Sequence, residues 1–226
     1  MIGGMSWVST AIYYDSINKM VSRRKGGLSS APLILDSHDF APLAALQAAG
    51  EWDRLGDMMA ASARRLVAAG AEGLILCSNT MHRLYQAVAE ASGVKVIHIG
   101  EATADKLAAD GVKRAGLIGT RFTMNEAFYR ERIEGRGIAV SRPVPAMAEE
   151  IDRIIFEELT RGEVLRNSQR KLKTCLTEMA QARNQAVILG CTELIMLVDP
   201  GASVIPVYDT TAIHSRAAAE WILADS

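Results

Sequence analysis

The chain has 226 residues, 49% of them hydrophobic and 23% charged, with a formal net charge of −1. That is a globular composition, with room for one large domain or two small ones. The charge balance offers no basic face for nucleic acid or an anionic membrane surface, and no run of about 18 uncharged apolar residues marks a membrane span.

The opening MIGGMSWVST has neither a basic n-region nor a long apolar h-region, so it does not read as a signal peptide. APLILDS (31–37) reads as a strand. Trp52, Leu55, Met59 and Leu66 recur at helical spacing, and Gly70 is placed to stop that helix. The strand GLILC (73–77) comes next, then a helix from about Met81 to Ala91, Gly93, and the strand VKVIHI. A helix near Glu101–Ala109 ends at Gly111 and leads into the strand RAGLIG. Later strands are GIAVSRP, AVILG and SVIPVYD. Long helices cover Glu149–Leu159 and Val164–Ala182, and a last one runs from about Thr211 to Leu223. Strands that alternate with helices and are apolar throughout predict an α/β fold, with mainly parallel sheets flanked by helices.

The chain repeats itself weakly. GGMSWVSTAIYY begins at Gly3 and IGTRFTMNEAFY at Ile118. Aligning Gly4 with Gly119 brings Trp7 to Phe122, Tyr13 to Phe128 and Tyr14 to Tyr129, at an offset of 115; Cys77 and Cys191 correspond at an offset of 114. The expectation is two similar, pseudo-twofold related α/β units, with the active site in the cleft between them. The first spans 1–97 plus 209–226 and the second 98–208. Each unit then carries a Gly turn and a Cys turn at the carboxyl ends of its strands, where open α/β sheets bind ligands.

Three cysteines, Cys77, Cys175 and Cys191, fit no disulfide framework and no paired zinc spacing, so a reducing cytoplasm is expected. Cys175, inside KLKTCLTEMAQ, reads as a small core residue. Cys77 and Cys191 sit at strand ends beside expected helix starts, where free N–H groups and the helix dipole lower a thiol's pKa. Taken singly, each is equally a core residue or a catalytic one. Asn79, Thr80 and Thr192 are helix-capping residue types that can also direct donors at a bound carboxylate. Ser6, Thr120 and Thr123 add further small neutral donors, which suits a small zwitterionic or anionic ligand. His82 and His214 fall near these segments, and either could edge the site, though both read first as solvated or capping residues. The sequence has no G-x-G-x-x-G, no P-loop and no H-E-x-x-H, and GGMSW lacks the closing glycine of a nucleophile elbow.

Together, GGMSW-ST…YY, LC-S-N-T-M-H, GTRFTM-FY, IIFEEL, LGCTEL and the closing PVYDTTAIH resemble the aspartate/glutamate racemase family along essentially the whole chain. They are most similar to its aspartate-racemase-like, broad-specificity amino-acid racemase branch. The resemblance implies an enzyme, an isomerase, that interconverts L- and D-amino acids without pyridoxal phosphate, metal or any other cofactor. Its catalytic pair would be Cys77 and Cys191, one thiolate taking the α-proton while the other thiol delivers a proton to the opposite face. It also implies substrate contacts from Met5, Ser6, Asn79, Thr80, Thr120, Thr123 and Thr192, with Glu193 assisting the second cysteine. The expected partner is a small amino acid, aspartate or glutamate first, bound by a cytoplasmic homodimer.

The chain departs from the family in three places. Only Met1 and Ile2 precede Gly3, where relatives carry a full strand. Val8 stands where many relatives have glutamate. Glu150 stands where aspartate racemases tend to have a lysine, which argues against a strict aspartate racemase and leaves Arg23, Arg24 and Arg121 as candidates by position for an acidic side chain. Rival readings are another reaction on the same scaffold (hydantoin racemisation, malonate decarboxylation, maleate isomerisation), a non-catalytic binding relative, and a redox sensor closing a Cys77–Cys191 disulfide.

Overall fold

The computed structural model describes residues 1–224. In chain order they form β1 (Ile2–Gly3), α1 (Trp7–Lys25), β2 (Asp36–Ser37), α2 (Phe40–Ala49), α3 (Trp52–Ala68), β3 (Gly73–Ile75), α4 (Tyr85–Ser92), β4 (Lys95–Ile97) and α5 (Ile99–Ala109). The chain continues with β5 (Arg114–Gly119), α6 (Arg121–Asn125), α7 (Ala127–Glu134), β6 (Ala139–Ser141), α8 (Pro145–Glu157), α9 (Arg166–Gln181), β7 (Ala186–Gly190), β8 (Val207–Asp209) and α10 (Thr210–Ala224). These residues divide into two compact units. One is Met1–Ile99 with the chain from His214 onward; the other is Gly100–Ile213. Among the described residues no helix is long and apolar enough to cross a membrane.

In the first unit β1 pairs with β2, and β3 with β4, all in parallel. A parallel bridge from Ile2 to Leu76 joins the two ladders, giving the order β2-β1-β3-β4. Side chains on a strand alternate between faces, and the core obeys that period. Leu74 and Leu76 pack with Leu43, Leu55, Met59, Leu66 and Val88 from α2, α3 and α4. Ile75 and Cys77 point the other way, into a cluster with Tyr13, Ile17 and Val21 of α1 and Ala218 and Ala219 of α10. Both faces are covered, which is why the strand reads as unbroken apolar sequence.

The second unit has one parallel sheet of order β6-β5-β7-β8. Val187, Leu189 and Cys191 share a face with Ile151, Ile154 and Ile155 of α8 and with Leu172, Cys175, Leu176 and Met179 of α9. Cys175 is therefore a core residue, as its position inside a helix suggests. Arg114–Gly119 and Ala186–Gly190 are strands over the spans their sequences indicate.

Several elements differ from the sequence expectation; SVIPVYD, for instance, is strand only over Val207–Asp209. Of the apolar run 31–37, only Asp36–Ser37 is strand, because its partner β1 is two residues long. The expected helix at 81–91 opens instead with a 3-10 segment, Thr80–Leu84, and becomes α-helical at Tyr85.

Candidate active site

In both sheets the first strand is flanked by the second on one side and the third on the other. The strand order thus reverses between β1 and β3, and between β5 and β7. Ligands of open α/β sheets bind at that switch point, beyond the carboxyl ends of the strands. The residues leaving those four strand ends are the Gly4–Ser6 turn, Cys77, Thr120 and Cys191.

The turn after β1 is built for close approach. Gly4 has φ +84°, and a Cβ there would overlap the backbone of His38. Its N–H donates to Thr10 Oγ1 at 2.8 Å, and Thr10 Oγ1 donates to the Ser6 carbonyl at 2.9 Å. Ser6 is the N-cap of α1, accepting from the Ser9 N–H at 3.5 Å. Met5 is buried among the α2–α4 side chains, so its role in the fold is packing.

Cys77 comes directly after β3 and its continuation, with its N–H bonded to the Ile2 carbonyl at 2.9 Å. The thiol is fully buried, and burial pushes its pKa up to about 12. Asn79 and Thr80 are buried beside it. Asn79 makes no side-chain cap bond, and the segment Thr80–Leu84 after it is a 3-10 turn. Asn79 therefore does not cap this segment, and desolvation dominates at the thiol.

The second unit offers a comparable set. Thr120 caps α6, its Oγ1 accepting from the Thr123 N–H at 3.3 Å and lying 3.2 Å from Thr123 Oγ1. Cys191 comes directly after β7, and the next element is again a short 3-10 turn, Leu194–Leu197. Its thiol donates to Glu193 Oε2 at 3.0 Å, and Thr192 Oγ1 donates to the same oxygen at 2.7 Å. Glu193 is buried, not the exposed first-turn residue its sequence position also allows. Burial first, and the Glu193 carboxylate second, hold the Cys191 pKa above its ordinary value. The two thiols are not quite equivalent. Cys77 is next to Leu76, the partner of Ile2, whereas Cys191 is next to Gly190, the partner of Gly119. With Gly4 set on Gly119, Cys191 lies two residues farther along its sheet than Cys77.

The histidines are not at the surface. His82 and His214 are neither solvated nor caps; both are buried, and burial holds His82 well below its ordinary pKa and His214 at about 4. His82 and His98 lie 4.6 Å apart by ring centroids, and His82 and His214 5.5 Å. No local signal marks this cluster, since its members come from three separate segments.

Arg23 and Arg24 end α1, about 25 Å of helix from Ser6. Arg121 is engaged by Asp152, through its N–H at 2.7 Å and its guanidinium at 3.3 Å. Glu150 is held by Lys171 at 2.6 Å and Arg153 at 2.8 Å, and these cations depress its pKa to about 2.

The chain is similar to known proteins over most of its length. The Asp/Glu/Hydantoin racemase family model matches residues 2–218. The broad specificity amino-acid racemase RacX of Bacillus subtilis is 25% identical over 160 residues, covering 71% of this chain and 69% of that protein. A crystal structure from Yersinia pestis, named as a candidate Asp/Glu racemase, is 41% identical with a TM-score of 0.91, covering 98% of this chain and 97% of that one. That of an aspartate racemase homologue from Pyrococcus horikoshii OT3 is 30% identical with a TM-score of 0.82, at the same coverage of each chain. The chain belongs to the Asp/Glu/Hydantoin racemase family.

Proposed function

We propose that this family member is a cofactor-independent amino-acid racemase in which Cys77 and Cys191 act on opposite faces of one α-carbon. The observation that carries the reading is one buried thiol at the switch point of each of two sheets with the same strand order. Inversion through a planar carbanion needs a base on one face and an acid on the other, and the roles exchange in the reverse direction. Both thiols start with raised pKa values, which suits the proton donor. The ammonium of a bound amino acid offsets the burial for the partner that must become thiolate. At Cys191 the Glu193 carboxylate already accepts the thiol proton's hydrogen bond. Ser6, Asn79, Thr80, Thr120, Thr123 and Thr192 supply the donors that hold the substrate carboxylate and the developing carbanion.

Aspartate and glutamate lead as substrates. Arg121 is engaged by Asp152, and the likeness to a broad-specificity racemase supports a wider range. Three free cysteines fit a reducing cytoplasm, and a homodimer is the proposed state, to be read by sedimentation. The test is a panel of L- and D-amino acids, 5-substituted hydantoins, an arylmalonate and maleate, with products resolved by chiral chromatography. Racemisation of amino acids alone supports the assignment. Turnover confined to a hydantoin, malonate or maleate overturns it.

A further inference from the structure

The β3–β4 ladder ends at the pair Ile75↔Ile97, just short of Cys77. Beyond that point the segments that follow the two strands are joined by the ring of His82. Its Nδ1 lies 2.7 Å from the Ser78 carbonyl, which can only accept, so Nδ1 carries the proton. Its Nε2 receives the Ile99 N–H at 3.1 Å, so Nε2 carries the lone pair. Both nitrogens are committed, and the ring is held neutral in one tautomer. Ser78 is the residue after Cys77, and Ile99 opens α5. The imidazole replaces the next rung of the ladder and encloses the Cys77 turn between two fixed backbone points.

The surroundings hold the ring in that state. The His98 ring lies against it, tilted by 58°, and His214 approaches its edge. His214 is itself pinned: its Nε2–H donates to the Ile97 carbonyl at 2.9 Å, so the Tyr13 hydroxyl donates to its Nδ1, also at 2.9 Å. A protonated His82 would have to give up the Ile99 bond next to two other imidazoles, in a buried site.

We propose that His82 is a positioning residue for Cys77, a neutral imidazole bridge that fixes the turn carrying the thiol. The proposal rests on Cys77 being one of the two bases. The experiment compares wild type with His82→Ala and His82→Asn; asparagine keeps a donor near the Nδ1 position. Alpha-deuterium incorporation is measured from each pure enantiomer, with kcat and KM separated. Loss of one buried hydrogen-bonded bridge corresponds to about tenfold. His82→Ala therefore lowers exchange of the enantiomer deprotonated by Cys77 about tenfold more than that of the other, in kcat rather than KM, and His82→Asn recovers part of it. An equal loss for both enantiomers, or no recovery with asparagine, overturns the proposal.

Two readouts stand apart from activity. Nitrogen-15 spectra show wild-type His82 as the neutral Nδ1–H tautomer; a protonated or Nε2–H ring overturns the bridge. In His82→Ala, alkylation of Cys77, read by peptide mass spectrometry, accelerates about tenfold while that of Cys191 does not. An unchanged Cys77 rate overturns the proposal. If the wild-type protein racemises no amino acid, the racemase reading fails, and these readouts still decide whether His82 fixes the Cys77 turn.

Discussion

Replacing Glu193 by glutamine keeps the size of the side chain and removes its charge, which puts two opposing effects on Cys191. The carboxylate raises the thiol pKa, so its loss eases ionisation. It also accepts the thiol hydrogen bond at 3.0 Å, so its loss removes the group placed to take the proton. Burial contributes more to the raised pKa than Glu193 does, and burial remains in the variant. The thiol therefore stays protonated near neutral pH, and loss of the acceptor wins. A hydrogen bond to a charged group is worth about 1.5–3 kcal/mol, which is about 10- to 100-fold in rate. The expected result is a fall of that size in α-deuterium exchange from the enantiomer that Cys191 deprotonates. The pH at which Cys191 becomes alkylatable moves down at the same time. Equal slowing from both enantiomers, or an upward move of the alkylation pH, refutes the reasoning.

The geometry leads to three further outcomes. His214 is buried and neutral, with a pKa of about 4 against 6.5 in the unfolded chain, so the unfolded state takes up the proton first as pH falls. Stability is fully present above pH 6.5 and declines by about 3 kcal/mol toward pH 4, measurable by urea denaturation at stepped pH. Glu150→Gln breaks contacts to Lys171 and Arg153 that are partly open to solvent, and should cost about 1 kcal/mol at pH 7 after allowing for screening. Because the Glu150 pKa is depressed to about 2, that difference between variant and wild type holds above pH 4.5 and vanishes as pH falls toward 2. Gly4→Ala forces a side chain against the His38 backbone at positive φ, and calorimetry should show a loss of about 3 kcal/mol or more.

Where the sequence was legible, the reason is physical. β5 and β7 are buried on both faces and therefore read as continuous apolar runs of the right length. The recurrence of a glycine turn and a cysteine pointed to two units of like topology; the second unit's sheet has its strands in the order second, first, third, fourth, and the bridge from Ile2 to Leu76 sets the first unit's two ladders in the same order. Local electrostatics was not legible. A cysteine before Ser-Asn-Thr looks like the start of an α-helix with its dipole aimed at the thiol. The chain instead makes a 3-10 turn and buries the sulfur, reversing the direction of the shift. Likewise the Tyr13–His214–Ile97 chain joins residues 201 and 117 positions apart, and no periodicity reports such a contact. Glu150, read against the lysine of relatives, is tied into an ion network with Lys171 and Arg153.

The central claim is that two thiols work on opposite faces of one carbon. The direct measurement is α-proton exchange in deuterated water from each pure enantiomer, in wild type, Cys77→Ala and Cys191→Ala. Either substitution should abolish two-way racemisation, and the two variants should lose exchange from opposite enantiomers. Full racemisation in either variant contradicts it.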